Sequence, residues 1–161
     1  AAGLCRKEQQ IMNIYKILLQ VLSVFRMIGS LSGLGLVSMI LFQVAQGKMT
    51  APLTNLDIYT MIATIIMGIC NLGGGIFGLK GAAHGGRSLV RAVVFGWAGL
   101  IVSLLDTVIV VFFFEVPVDL VSVGAAIVSA ALFVFAASKL GEGAKGNVTE
   151  KKNVGKGAGK A

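Results

Sequence analysis

Four uninterrupted apolar stretches decide what this chain can become. A helix needs about 20 mostly apolar residues to cross the roughly 30 Å hydrocarbon core of a bilayer. Residues 27–45, 58–79, 92–114 and 120–138 each meet that requirement, within the roughly two to four residues by which such ends can shift. No ten-residue segments alternate in polarity as the strands of a membrane barrel must. The charge content agrees. Only 13% of the 161 residues are charged and 56% are hydrophobic, whereas soluble domains carry about 25% charged residues. Such a chain cannot cover itself with a wettable surface. The expected fold is an all-α integral membrane protein of one domain. A four-helix transmembrane bundle (27–138) follows a polar, amphipathic N-terminal segment (1–26) and precedes a disordered, basic Gly/Lys-rich tail (139–161).

The basic residues set the orientation. Arg6, Lys7, Lys16 and Arg26 precede the first span; Lys80, Arg87 and Arg91 lie between the second and third; Lys139, Lys145, Lys151, Lys152, Lys156 and Lys160 follow the fourth. Of the fourteen Lys and Arg, Lys48 alone falls on the other side, with Asp57, Glu115 and Asp119. Loops rich in Lys and Arg stay on the cytoplasmic side. Both termini and the middle loop are therefore expected on the cytoplasmic, stromal or matrix face. The opening Ala1-Ala2-Gly3, without Met, fits removal of an organellar transit peptide and hence an organelle inner or thylakoid membrane. The net charge of +7 does not point to nucleic acid, because the charges bracket apolar runs instead of forming one patch with interleaved aromatics.

Each span carries small residues at helical spacing: Gly29 and Gly33, Gly74 and Gly78, Gly99 and Ser103, Ala125 and Ser129. Such rows let helices in lipid approach closely enough to gain van der Waals contact. They serve either the bundle itself or a partner's helix. Before the first span, Gln9, Asn13, Lys16, Gln20 and Ser23 recur in steps of four and three, opposite Ile11, Ile14, Leu18, Val21, Leu22 and Phe25. That spacing makes an amphipathic helix, lying in the interface or continuing the span. The tail of Gly, Lys, Ala and Asn has nothing with which to build a core. Cys5 in the polar segment and Cys70 inside an apolar run are not expected to bridge. The Asn147-Val148-Thr149 sequon lies on the basic face, where glycosylation is not expected.

Asp106 is the residue that most demands an explanation. It lies about two-thirds of the way across the third span, where an ionisable group is costly enough to mark a functional site by default. Thr64, Ser122 and Ser38 fall at similar depth, and no Lys or Arg does. Asp106 is thus either protonated and hydrogen-bonded within the bundle or matched by a group on another subunit. Asn71 and Gln43 are further intramembrane polar groups. Bundle hydrogen bonding is their ordinary role, and their amide oxygens could also ligate a pigment metal. Bound lipid and pigment are accordingly the two cofactor classes in view. Lys80, Arg87 and Arg91 suit contacts with anionic lipid heads. The glycine-rich stretch from Gly73 to Arg87 lacks the phosphate-loop pattern and follows a membrane helix instead of a strand. His84 is the single histidine, in that same stretch.

No Ser-His-Asp set, Cys-His set or metal-spaced cluster is present, which argues against an enzyme. Length and glycine content resemble the four-span proteolipids of rotary ATPases, but the carboxylate that family carries in its fourth span has no counterpart here. A proton or ion pathway through Asp106 ranks third among the functional readings. The first is a non-catalytic accessory subunit of a larger membrane complex, respiratory or photosynthetic, contacting other subunits through helix faces and both tails. The second follows from topology: four spans with internal termini and short outer loops resemble the MARVEL-type organisers of membrane domains and vesicles.

Overall fold

The computed structural model describes the backbone of residues 2–48, 52–117 and 119–157, and the side chains of 9–48, 52–117, 119, 121 and 123–142. Ser122, the side chain of Cys5, the sequon and the lysines beyond Glu142 lie outside the described side chains. Four helices make up the chain: α1 (Ala2–Ala45), α2 (Asn55–His84), α3 (Arg87–Phe114) and α4 (Leu120–Gly157). All four are long and apolar enough to cross a membrane. Short connections force consecutive helices antiparallel. Each helix packs on its neighbour in sequence, and α4 closes back against α1. One end of the bundle, called the terminal end below, carries the first turns of α1, the α2–α3 turn and the run-on of α4. The other, the loop end, carries the α1–α2 and α3–α4 connections.

Local chemistry explains the helix boundaries. At the loop end Thr54 and Asp57 form a reciprocal capping box. The Asp57 backbone N–H donates to Thr54 Oγ1 at 3.2 Å and the Thr54 N–H donates to Asp57 Oδ2 at 2.9 Å. Two of the orphan donors that every helix start exposes are thereby satisfied. At the terminal end α2 passes into α3 through Gly85 and Gly86 alone, with φ of +65° and +62°, a conformation that costs glycine little and other residues much. The expected loop over residues 80–91 is therefore corrected to a two-residue turn: Lys80 and His84 close α2, while Arg87 and Arg91 open α3. Glu115 ends α3 in the left-handed region, φ +52°, its backbone N–H donating to the Val110 carbonyl.

Of the two courses expected for the N-terminal segment the structure takes the second, and one further expectation changes. The amphipathic segment and first span form one uninterrupted helix; Ile14 and Phe25 point outward, exposed, as a span's residues do. The tail is drawn as helix through Gly157 rather than disordered. Extending a formed helix adds one hydrogen bond per residue fixed and needs no new nucleus. The Lys139–Glu142 ion pair at 2.8 Å spans the point where α4 leaves the bundle.

Size is distributed inside-out. Phe112 and Phe113 are 76% and 79% exposed, while the buried cluster is Leu19, Ala82, Leu89, Ala92, Phe133, Val134, Ala136 and Ala137. Lipid tails are as apolar as leucine, so large side chains gain nothing by turning inward and small ones let backbones approach. The cluster sits toward the terminal end. There the Phe133 ring from α4 fills the space that Gly78 of α2 and Gly96 of α3 leave open. Tyr15 of α1 meets Phe135 of α4 edge-on at 5.8 Å, closing the α1–α4 seam at this end.

Candidate functional site

The residue that organises the interior is Arg26. It continues the polar stripe of α1, three residues past Ser23 and four before Ser30, and those two serines are themselves buried. Both serines donate to the carbonyl four residues back, Ser23 to Leu19 at 2.6 Å and Ser30 to Arg26 at 2.7 Å. This keeps their hydroxyls satisfied inside a helix, as threonine and serine commonly do. The Arg26 guanidinium crosses the bundle and stacks over the Phe133 ring, 4.3 Å from its centroid. Its Nη1 fits a notch left by two glycines. A Cβ on Gly74 would sit 3.2 Å from that nitrogen and one on Gly99 3.9 Å. Nη1 is buried there without a hydrogen-bond partner.

Depth gives this its weight. From His84 back to Gly74 is ten residues of α2, and from Arg87 to Gly99 is twelve of α3. At 1.5 Å per residue Arg26 therefore lies about 15–18 Å in from the terminal end. At the centre of a bilayer, insertion scales set the cost of an arginine at about 2.5–3.5 kcal/mol. The face of Phe133 returns part of this as a cation–π contact. Among the described residues the only ion pair is Lys139–Glu142, so no carboxylate of the described residues neutralises Arg26.

Beside the guanidinium lies a cavity of about 300 Å³. Arg26, Ser30, Asn71, Ser103 and Ser129 supply its polar lining, one or more from each of the four helices, and Leu22, Phe25 and Met67 its apolar wall. It opens sideways between α1 and α4, where Gly29, Ala126 and Ser129 are exposed. A polar recess in an otherwise apolar bundle, reached laterally, can receive a polar group carried in the plane of the helices.

Asp106 forms a second polar site nearer the loop end. The Tyr59 hydroxyl of α2 donates to its Oδ1 at 2.9 Å, and the Tyr59 ring packs against Phe114 with centroids 5.2 Å apart. Of the two roles expected for Asp106, hydrogen bonding within the bundle is the one with a visible partner. That partner is not among the residues matched to it by depth. Thr64 presents its methyl to Gly33, and the exposed Ser38 donates to the Leu34 carbonyl of its own helix at 2.8 Å.

The remaining sequence candidates divide clearly. Gly33, Gly74, Gly78 and Gly99 stand where a neighbouring side chain would meet an added Cβ. Gly29 has open space at that position, Ala125 is exposed, and Ser103 and Ser129 face the cavity. Asn71 lines the cavity, while Gln43 is exposed on the last turn of α1. Lys80, Arg87 and Arg91 are exposed at the terminal end, with the Arg91 guanidinium 5.3 Å from the Phe77 ring centroid. Cys70 is a free thiol. Among the described residues no three metal-ligating side chains come together. Tyr59, Ser30 and the interior place of Arg26 are what the sequence reading missed. Continuing the polar steps of α1 beyond Ser23 would have reached Arg26 and Ser30.

Set against known proteins, the chain matches no family model, no curated protein and no solved structure.

Proposed function

We propose that this chain is an integral membrane protein that works as a non-catalytic accessory subunit of a larger membrane complex, taking a partner's transmembrane helix on its open α1–α4 seam. One observation carries the reading. The small-residue rows of α2 and α3 are spent inside the bundle, whereas Gly29 on α1 and Ala125, Ala126 and Ser129 on α4 are left exposed beside a polar recess. Small residues facing lipid gain little there, and a second helix could approach them closely. In the bilayer the terminal end faces the cytoplasm, stroma or matrix, because the exposed Lys80, Arg87 and Arg91 gather there and suit anionic lipid heads.

Native electrophoresis of gently solubilised source membranes, with mass spectrometry of the band that contains this chain, tests the proposal. A band of several hundred kilodaltons with fixed companions is the expected result, and the companions name the process. A band at the monomer or small homo-oligomer would reject the subunit reading and favour a free-standing MARVEL-like organiser.

A further inference from the structure

We infer that the Arg26 cavity is the receptor for a single carboxylate side chain, Asp or Glu, borne by the partner helix that seats on the α1–α4 seam. This rests on the subunit reading and adds the chemistry of recognition to it. The cavity presents one permanent cation, the guanidinium of Arg26, with Nη1 buried and lacking a hydrogen-bond partner. Ser30, Asn71, Ser103 and Ser129 surround the same space with hydroxyl and amide groups and bring no charge of their own. An acidic group is the complement. Arginine's planar fork binds a carboxylate through paired hydrogen bonds, and such charge-assisted bonds strengthen where water is excluded.

Among the described residues, the chain's own acids are badly placed for the task. Asp106 is seven residues beyond Gly99 on α3, about 10 Å farther toward the loop end, and already accepts from Tyr59. Asp57, Glu115 and Asp119 belong to the loop-end connections or the first turn of α2, and Glu142 pairs with Lys139 outside the bundle. A second copy in the same orientation would bring its Asp106 at the same unsuitable depth. With none of the described acids at the level of Arg26, a different chain is the source that fits the cavity. A lipid head group is the weaker candidate. Its charge belongs at the interface marked by Lys80 and Arg91, while the Arg26 notch at Gly74 and Gly99 lies six and eight residues, about 9–12 Å, inside them, and the roughly 300 Å³ recess is at the small end of ligand pockets. Its mouth, lined by Gly29, Ala126 and Ser129, instead suits the close approach of a helix backbone, from which a short acidic side chain reaches the guanidinium.

The test uses the full chain in vesicles of neutral phosphatidylcholine with leucine-rich transmembrane peptides that carry one central Glu or one central Gln. Association is read by energy transfer between labelled chain and peptide. The wild-type chain is expected to prefer the Glu peptide by at least about tenfold; Arg26→Gln should abolish the preference, and Arg26→Lys should keep part of it. Unfolding of Arg26→Gln alone in detergent should show an unchanged or higher midpoint, because the lost charge had no internal carboxylate. A midpoint that falls sharply would make Arg26 a structural residue and overturn the inference. Equal binding of the Glu and Gln peptides by the wild-type chain would overturn it too, while leaving the companions seen in native electrophoresis intact. Native mass spectrometry showing one tightly held anionic lipid on the wild type and none on Arg26→Gln would reassign the cavity to lipid. If native electrophoresis finds no companion while the Glu preference persists, the docking reading fails and the acid-binding chemistry survives it.

Discussion

The α2–α3 seam and the α1–α4 seam are built from the same kind of sequence and put to opposite use. Between α2 and α3, Gly73 meets Phe95 and Gly81 meets Leu89, while Gly78 and Gly96 receive Phe133 and Val134 from α4. Phe77 and Phe95 stack across the α2–α3 contact at 5.5 Å. Along α1 and α4, Gly29 and Gly124 have nothing within 4 Å of where a Cβ would stand. A small-x-x-x-small pattern thus states that a close approach is permitted and leaves open which surface makes it. What separates the two seams is what stands over the glycines, since α1 and α4 have an aromatic pair of their own in Tyr15 and Phe135. Large rings drop into the glycine notches of α2 and α3, and nothing large from α1 or α4 fills the space over Gly29.

The sharpest way to break this contrast is to place a leucine on either side of it. Gly81→Leu pushes a side chain into the Leu89 side chain and backbone nitrogen of α3; overpacking of that kind costs about 3 kcal/mol at its upper range. Gly29→Leu meets no atom and should stay within about 0.5 kcal/mol, as exposed substitutions do. Denaturant unfolding of both variants in detergent compares them directly, and equal losses would dissolve the distinction between the seams.

Phe133→Ala comes next. Because lipid is as apolar as the core, the transfer part of the usual large-to-small penalty falls away. The cavity part remains, about 2–3 kcal/mol. It should loosen the terminal half and remove the ring under Arg26. An unfolding midpoint that did not move would mean that this ring does not hold the closed half together.

Of the variants expected to lose stability, Tyr59→Phe loses least; it deletes the hydrogen bond to Asp106 and keeps the ring against Phe114. Interhelical hydrogen bonds in membranes average about 0.6 kcal/mol. The same unfolding assay should show a loss of that order. A loss several times larger would show that the Asp106 site, and not the glycine contacts, governs the loop-end half.

The helices and much of their packing were legible in the sequence for a physical reason. Apolar length and small-residue spacing are local quantities, and 58–79 and 92–114 lie wholly inside α2 and α3. Asp106 was legible too, because a lone carboxylate in an apolar run is conspicuous. Its partner was not. Tyr59 is 47 residues away in the chain, and their meeting depends on the register between two helices. Arg26 was hidden by its place in the order of residues: a cation just before an apolar run resembles an interfacial flank. Only the continuous α1, sliding its polar stripe past Gly74 and Gly99, carries that cation to mid-depth. The α2–α3 turn was overestimated because Lys80, Arg87 and Arg91 look like loop residues, although exposed basic side chains also fit on the end turns of helices.

The Gly85–Gly86 turn has a mechanical corollary. Two residues leave no slack, so at the terminal end α2 and α3 are hinged together like the spine of a book. The α1–α2 and α3–α4 connections tether two more edges of the bundle. The edge between α1 and α4 carries no such connection, because the two are not consecutive. Parting them stretches no loop; it gives up the Tyr15–Phe135 and Arg26–Phe133 contacts and leaves the α2–α3 spine in register.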